Sequence, residues 1–205
     1  MRTLLLAASL VLPAAALAQG AQSPDRWVKE VTEMVFAAYR ADPEVQKGSD
    51  KRMLAIMESK AAPQFDFQRI TRLAAGRYWL SASPEQKAAL VREFSTLLMR
   101  TYYRSLYEYR NTAVELKPLR VQPDDTDVIV KTVFVRPPNP PFAVDFSVWQ
   151  TPQGWRIYDI SVEGISALAN YRTVFAKEIQ TSGMNGLIKS LATRNRQASA
   201  VAGAR

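Results

Sequence analysis

The 205-residue sequence contains neither histidine nor cysteine. Without histidine, the chain has no Ser-His-Asp triad, no histidine general base and no histidine-based zinc site. Without cysteine, it has no thiol nucleophile and no disulfide, so the hydrophobic core alone must hold the fold. Enzymes that use only carboxylates, lysine or tyrosine remain possible.

A long apolar run is found only at the N-terminus. Arg2 precedes an apolar stretch over residues 4–12, and residues 16–18 read Ala-Leu-Ala, a typical cleavage site. The run is short for a membrane span, so we predict a cleaved signal peptide over residues 1–18, with an uncleaved N-terminal anchor as the alternative. Gln19 follows the site, so the sequence does not indicate a lipid-anchored lipoprotein. We expect one domain over residues 19–196 and a disordered tail over residues 197–205.

The chain is strongly basic, with a formal net charge of +8 and a pI of about 9.8. Basic charge can serve nucleic-acid binding, attraction to anionic membrane surfaces, or solubility alone. An exported chain meets little nucleic acid and the sequence contains no groove-reading motif, so we predict no nucleic-acid partner. Transient contact with membrane surfaces and simple solubility both remain open.

Capping signals and apolar spacing predict four helices in the first half of the chain. A Ser-Pro-Asp start at residues 23–25 and an Asp-Pro stop at residues 42–43 bound the first helix. A capping box, Ser-Pro-Glu-Gln at residues 83–86, begins the longest one. The second is expected from about residue 50, the third over residues 65–79 and the fourth over residues 84–109.

After residue 111 the apolar period changes from 3.6 to 2, which predicts strands. Strands are expected over residues 113–121, 127–135, 142–150 and 155–162, joined by short Pro-containing turns as an antiparallel meander. The third strand has one strongly apolar face, and only the helices can cover it. A last helical section follows Ser166 and breaks at residues 182–183. The fold class is therefore α+β, with helices packed on one face of a sheet of four or five antiparallel strands.

Two groups of acidic residues raise the question of a metal or catalytic site. The cluster at residues 124–127 lacks the glycine and the distal glutamate of a calcium loop, so we predict a polar turn and no metal site. Asp145 and Asp159 lie on neighbouring predicted strands and could form the carboxylate pair of a glycosidase. We favour the alternative, in which they lie on the polar face of the sheet and pair with Arg156 or Lys131, because no other feature of the sequence indicates a glycosidase.

Several motifs together resemble the periplasmic phospholipid-binding family of the Mla pathway (maintenance of lipid asymmetry), also called toluene-tolerance proteins. The segment 154–175 carries a Trp, a Tyr-Asp pair, an acidic-Gly-aliphatic-Ser step and Asn-Tyr-Arg followed by Phe. The matching residues there are Trp155, Tyr158-Asp159, Glu163-Gly164-Ile165-Ser166, Asn170-Tyr171-Arg172 and Phe175. Elsewhere the matches are Phe65-Asp66-Phe67, Ala75-Gly76-Arg77-Tyr78-Trp79, Ser83 to Gln86, Phe94, Leu97-Leu98, Thr101-Tyr102, Gly183, Gly186-Leu187-Ile188 and Leu191. They span residues 27–195 in the family's order.

The resemblance implies a non-enzymatic, monomeric phospholipid carrier in the periplasm, which maintains outer-membrane lipid asymmetry. It implies an apolar cavity between sheet and helices, no cofactor, and phospholipid as cargo. The implied partners are an inner-membrane ABC transporter complex with its lipid-shuttling ring protein, and an outer-membrane lipoprotein–porin complex. A carboxylate-dependent periplasmic hydrolase, or a protein-binding module with a filled core, are the alternatives.

The lipid-binding residues that we predict come from the long helix, the sheet and the segment after it. Trp79 could close one end of the cavity, and Arg172 could either bind a phosphate at its mouth or pair with Glu163. The full set is Trp79, Leu98, Tyr102, Leu106, Tyr109, Val130, Val144, Phe146, Val148, Tyr158, Ile160, Val162, Leu168, Tyr171 and Arg172.

Overall fold

The structure, a computed structural model, describes residues 22–122 and 124–203, with side chains up to residue 198. The predicted signal peptide lies outside the described residues. The helices are α1 Pro24–Ala41, α2 Pro43–Gln46, α3 Asp50–Ile56, α4 Phe67–Ala75, α5 Tyr78–Ser81, α6 Pro84–Glu108 and α7 Ala167–Gly203. The strands are β1 Ala113–Leu116, β2 Asp127–Val135, β3 Phe142–Thr151, β4 Gly154–Val162 and β5 Ile165–Ser166.

The capping signals fix the helix ends where the sequence predicts them. Asp42 ends α1, and its carboxylate accepts hydrogen bonds from the Glu44 and Val45 amides at 2.9 and 3.1 Å, which caps α2. At the start of α6, Ser83 and Gln86 satisfy each other's backbone amides, so the predicted capping box is confirmed.

The third predicted helix is wrong as a single element, because the chain over residues 65–79 forms two helices and an extended entry. Phe65 and Asp66 run beside β4, where the Asp66 amide donates to the Ile157 carbonyl at 2.9 Å. Gly76, at φ 56° and ψ −133°, then separates α4 from α5. This backbone conformation favours glycine and cannot continue a right-handed helix.

The sheet is an antiparallel meander in the order β1-β2-β3-β4-β5, as predicted, with a short fifth strand. Glu163 and Gly164 both have positive φ, at 49° and 78°, and form a two-residue turn that folds β5 back on β4. β1 ends at Leu116, five residues before the predicted end. Pro118 follows closely and has no amide hydrogen to extend the ladder.

Two apolar clusters build the core. The first lies on the sheet face that we call the inner face, which carries Val130, Val144, Phe146 and Val148 and is packed against Val28 and Phe36 of α1. The second lies among the helices.

At the centre of the helical cluster, the fully buried Phe94 of α6 contacts Tyr171 and Phe175 of α7, with ring centroids 4.8 and 4.7 Å away. The helices thus cover one face of the sheet, as the α+β prediction requires.

The last helix bends where the sequence predicts a break. Gly183, at φ 70° and ψ 177°, interrupts the helical backbone of α7. The helix is assigned through Gly203, and the disorder expected for residues 197–205 stays a prediction.

Candidate functional site

The two apolar clusters of the core meet at a seam, which is a candidate binding site for an apolar ligand. Among the described residues, Leu106 on α6 and Phe65 beside β4 are the side chains that pack against both clusters. Both are only partly buried. Phe65 was not among the predicted site residues, although its Phe-Asp-Phe motif was visible in the sequence.

The inner face becomes progressively exposed towards β5. Val144 on β3 lies opposite Val162 on β4, which in turn lies opposite Ile165 on β5. The exposed fraction of these side chains rises from 4% to 43% and then 65%. At the next inner-face pair of β3 and β4, Ile160 is half-buried opposite the buried Phe146. The inner face is therefore covered over β2, β3 and the first half of β4, where Trp155 and Ile157 are buried, and it is partly open to water at the end of β4 and at β5.

The C-terminal half of α6 and the capping residue that follows it, Tyr109, contribute further half-exposed apolar side chains. Tyr102 is 37% exposed, and Leu106 and Tyr109 are half-buried. The ring of Tyr109 lies 5.2 Å from that of Phe142 at the start of β3, and the Arg136 guanidinium lies 5.4 Å from the centre of the Tyr109 ring.

The first two turns of α7 add Leu168 and Tyr171, which are both half-buried against the helical cluster. Burial raises the pKa of Tyr171 to about 12, and the neighbouring Tyr102 adds to the rise. The phenol of Tyr171 is therefore neutral at any physiological pH.

These partly exposed side chains form what we call the apolar margin. It consists of Tyr102, Leu106, Tyr109, Phe142, Ile160, Val162, Ile165, Leu168 and Tyr171. Large apolar surface that stays exposed often marks a binding site, so the apolar margin is the candidate lipid-binding surface.

The side chain of Tyr158, which we predicted to bind lipid, belongs to a polar cluster with Arg69 and Asp127. The pairing of β3 and β4 shifts between Ser147 and Val148 and leaves Tyr158 as the extra, bulged residue. The Arg69 guanidinium lies 4.2 Å from its ring and 4.6 Å from that of Trp149. The Tyr158 hydroxyl donates to Asp127 at 2.6 Å, and burial together with that carboxylate raises the Tyr158 pKa.

This cluster ties α4 to the sheet. Arg69 also forms an ion pair with Asp127, and Trp149 donates its indole hydrogen to Asp66 at 3.1 Å. The acidic segment that leads into β2 forms the predicted polar turn. In this turn the Gln122 amide donates to the Asp125 carboxylate at 2.7 Å.

Five other predicted residues lie inside packed clusters. Val130, Val144, Phe146 and Val148 are buried under α1, and Leu98 is buried among the helices. Trp79 is half-buried on α5, with the Lys87 ammonium 5.7 Å from its ring centre.

Arg172 is exposed and does not form the ion pair with Glu163 that was one of its two expected roles. Its Nε donates to the Leu73 carbonyl at 3.1 Å, at the C-terminal end of α4. The Glu163 carboxylate instead accepts the Ala143 amide. A phosphate contact for Arg172 stays a prediction.

The two carboxylates considered for hydrolysis have different surroundings. Asp159 accepts from the Leu168 amide at 2.9 Å and from the Ser166 hydroxyl at 2.5 Å, so both of its oxygens hold the start of α7. Asp145 lies opposite Lys131 on β2 and Ser161 on β4. Asp159 thus has a structural role that explains its presence without catalysis.

Residues 22–122 and 124–203 contain no cluster of acidic side chains suited to a metal ion. None of the helices within them is both long and apolar enough to cross a bilayer.

The protein belongs to the class of α+β folds in which helices cover one face of an open antiparallel sheet. Within that class, the chain is a member of the MlaC family, since residues 29–193 match the family described as MlaC protein. The resemblance derived from the motifs is thereby confirmed.

Two known proteins are similar over most of the chain. The toluene tolerance protein ttg2D of Pseudomonas putida is 25% identical over 176 residues, which cover 85% of this chain and 81% of that protein. A phospholipid-binding protein from Ralstonia solanacearum, solved in complex with a phospholipid, is 35% identical with a TM-score of 0.78. That match covers 85% of this chain and 98% of the solved one.

Proposed function

We propose that this protein binds a phospholipid, with its acyl chains between the inner face of the sheet and the helical layer and its headgroup near solvent. The observation that carries the proposal is the rise in exposure along the inner face from Val144 to Val162 and Ile165, together with the half-exposed apolar side chains of α6. The phospholipid bound in the structure of the Ralstonia solanacearum relative supports the choice of ligand.

The energetics of lipid extraction favour a site of this kind. Each CH₂ group buried from water is worth about 0.8 kcal/mol, so two long acyl chains left in water would cost on the order of 20 kcal/mol. A carrier must cover nearly all of that apolar area, and it needs little headgroup chemistry to do so. The apolar margin and the two clusters behind it offer such a surface once the helical layer moves to admit the chains.

The same proposal extends to transport. The protein carries phospholipid through the periplasm between an inner-membrane ABC transporter complex with its ring protein and an outer-membrane lipoprotein–porin complex, and thereby maintains outer-membrane lipid asymmetry. The similarity to a toluene tolerance protein supports a role in envelope integrity. Contacts with both complexes are transient, because the carrier must leave each of them.

Native mass spectrometry of the mature protein, purified without detergent, tests the binding step. We expect a mass increment equal to about one phospholipid, identified by solvent extraction and lipid analysis. A folded protein that stays lipid-free after incubation with phospholipid vesicles would contradict the proposal and favour a filled core.

Deletion of the gene tests the transport step. We expect the deletion strain to accumulate phospholipid in the outer leaflet of its outer membrane and to become sensitive to toluene. The wild-type gene should restore both properties. Unchanged outer-leaflet phospholipid in the deletion strain would contradict a role in asymmetry, whatever the protein binds.

A further inference from the structure

The short helix α5 presents the most exposed large apolar side chain of the described residues. Leu80 is 85% exposed, whereas its neighbour Trp79 is half-buried against the helical cluster. Exposure of a leucine side chain to water does not stabilise the fold, because burying that side chain would be favourable. A single exposed leucine is common, so its surroundings decide whether it has a function.

Leu80 projects from a fixed tip, which extends from Gly76 to Ser81. The Tyr78 hydroxyl accepts hydrogen bonds from Arg77 at 3.1 Å and from Gln180 of α7 at 3.0 Å. The second of these bonds fastens the tip to the longest helix of the protein. Leu80 is therefore held outside by the fold, and it can be presented to a partner without a large ordering cost.

Basic side chains outnumber acidic ones in the segments that form and hold the tip. The segments 72–87 and 172–180, joined by the bonds from Gln180 and Arg172, carry five basic residues and two acidic ones. The basic residues are Arg72, Arg77, Lys87, Arg172 and Lys177, and the acidic ones are Glu85 and Glu178. Lys87 lies 5.7 Å from the Trp79 ring centre, and Arg77 lies 5.1 Å from that of Tyr78.

We propose that the tip over residues 76–81 docks on the surface of an anionic bilayer. Leu80 enters the boundary between headgroups and acyl chains, Trp79 lies at headgroup depth, and the basic side chains approach lipid phosphates. An exposed leucine beside an amphipathic tryptophan, with Arg77 and Lys87 against the neighbouring rings, has the composition of an interfacial anchor. The net positive charge of the tip complements an anionic surface, to which each basic side chain adds attraction.

The proposal specifies the transient membrane contact of a lipid carrier, and rests on the proposed function for its biological purpose. Its test does not depend on that function, since surface binding needs no lipid inside the protein. Co-sedimentation of the mature chain with vesicles of phosphatidylethanolamine and phosphatidylglycerol (3:1) measures the partition coefficient. Vesicles of phosphatidylcholine alone, and the anionic vesicles at 0.5 M salt, test the electrostatic part.

The informative variant is Leu80→Ser, and Ile129→Ser is its matched control. Ile129 is 53% exposed on the opposite face of the sheet, so both variants remove one exposed aliphatic side chain and are expected to fold. We expect Leu80→Ser to bind anionic vesicles about tenfold more weakly than wild type, from the transfer free energy of one leucine side chain. Ile129→Ser should bind as wild type does, and salt or neutral lipid should weaken binding of both.

Equal vesicle binding by Leu80→Ser and wild type would overturn the proposal, and so would no binding of wild type at low salt. The internal phospholipid of Leu80→Ser, measured on the same preparation, should equal that of wild type. A wild-type protein that binds vesicles but contains no phospholipid would count against the proposed carrier function and leave the anchor standing.

Discussion

A charge placed on the apolar margin should separate lipid binding from folding. Ile160→Glu is the sharpest such change, because Ile160 is half-buried on the inner face, opposite Phe146. In the lipid-free protein the new carboxylate can reach water, so the fold should tolerate it. Beneath an acyl chain the carboxylate must lose its hydration or its charge.

The cost of neutralising that carboxylate sets the expected effect. A glutamate has an ordinary pKa of about 4.3, and each pH unit is worth about 1.4 kcal/mol, so protonation at pH 7 costs about 3.7 kcal/mol. Lipid binding should therefore weaken about 500-fold at pH 7. Since the cost falls as the pH approaches the ordinary pKa, binding should recover in mildly acidic buffer.

The assay measures the ratio of phospholipid to protein by phosphorus analysis after incubation with vesicles. Thermal unfolding of the same samples shows whether the variant is folded. Ile129→Glu is the matched control, since it makes the same substitution on the opposite face of the sheet. We expect the control to retain its lipid. A folded Ile160→Glu protein that binds lipid as wild type does would refute the proposed site.

Three further predictions follow from the core, the margin and the N-terminus. Phe94→Ala should lower the free energy of unfolding by about 3 to 5 kcal/mol in urea titrations, because the fully buried ring packs against Tyr171 and Phe175; a loss below about 1 kcal/mol would contradict that packing. Because burial raises the pKa of Tyr171 to about 12, stability should fall as the pH rises from about 10 to 12, and Tyr171→Phe should reduce this fall; identical pH profiles would contradict the burial. The mature protein isolated from the periplasm should begin at Gln19 by N-terminal sequencing, whereas an intact Met1 would indicate an uncleaved anchor.

Local signals in the sequence were sufficient for most of the fold. The capping box at Ser83 and the break at Gly183 depend on residues close in sequence, and both appear where expected. β2 has its predicted bounds because alternation over nine residues needs no distant information. The break at Gly76 was missed, since the apolar stripe continues across it and only the backbone conformation reveals the turn.

The candidate site was less predictable, because it depends on contacts between distant segments. Alternation along β4 does not reveal the bulge that leaves Tyr158 unpaired, and its partners Arg69 and Asp127 lie far away in sequence. Nor could spacing tell the buried Val148 from the exposed Val162, which differ only in the helical cover above them. Leu106, which was predicted from its helix stripe, lies at the seam of both clusters.

Photo-crosslinking with a phospholipid that carries a diazirine on its acyl chain tests most directly whether the lipid lies between sheet and helices. After loading, irradiation and proteolysis, tandem mass spectrometry locates the modified residues. We predict crosslinks on the apolar margin, at Leu106, Ile160 and Val162, and none at Ile129 on the opposite face of the sheet. Crosslinks confined to the outer face or to the tip over residues 76–81, with the margin unmodified, would contradict a site between the sheet and the helices.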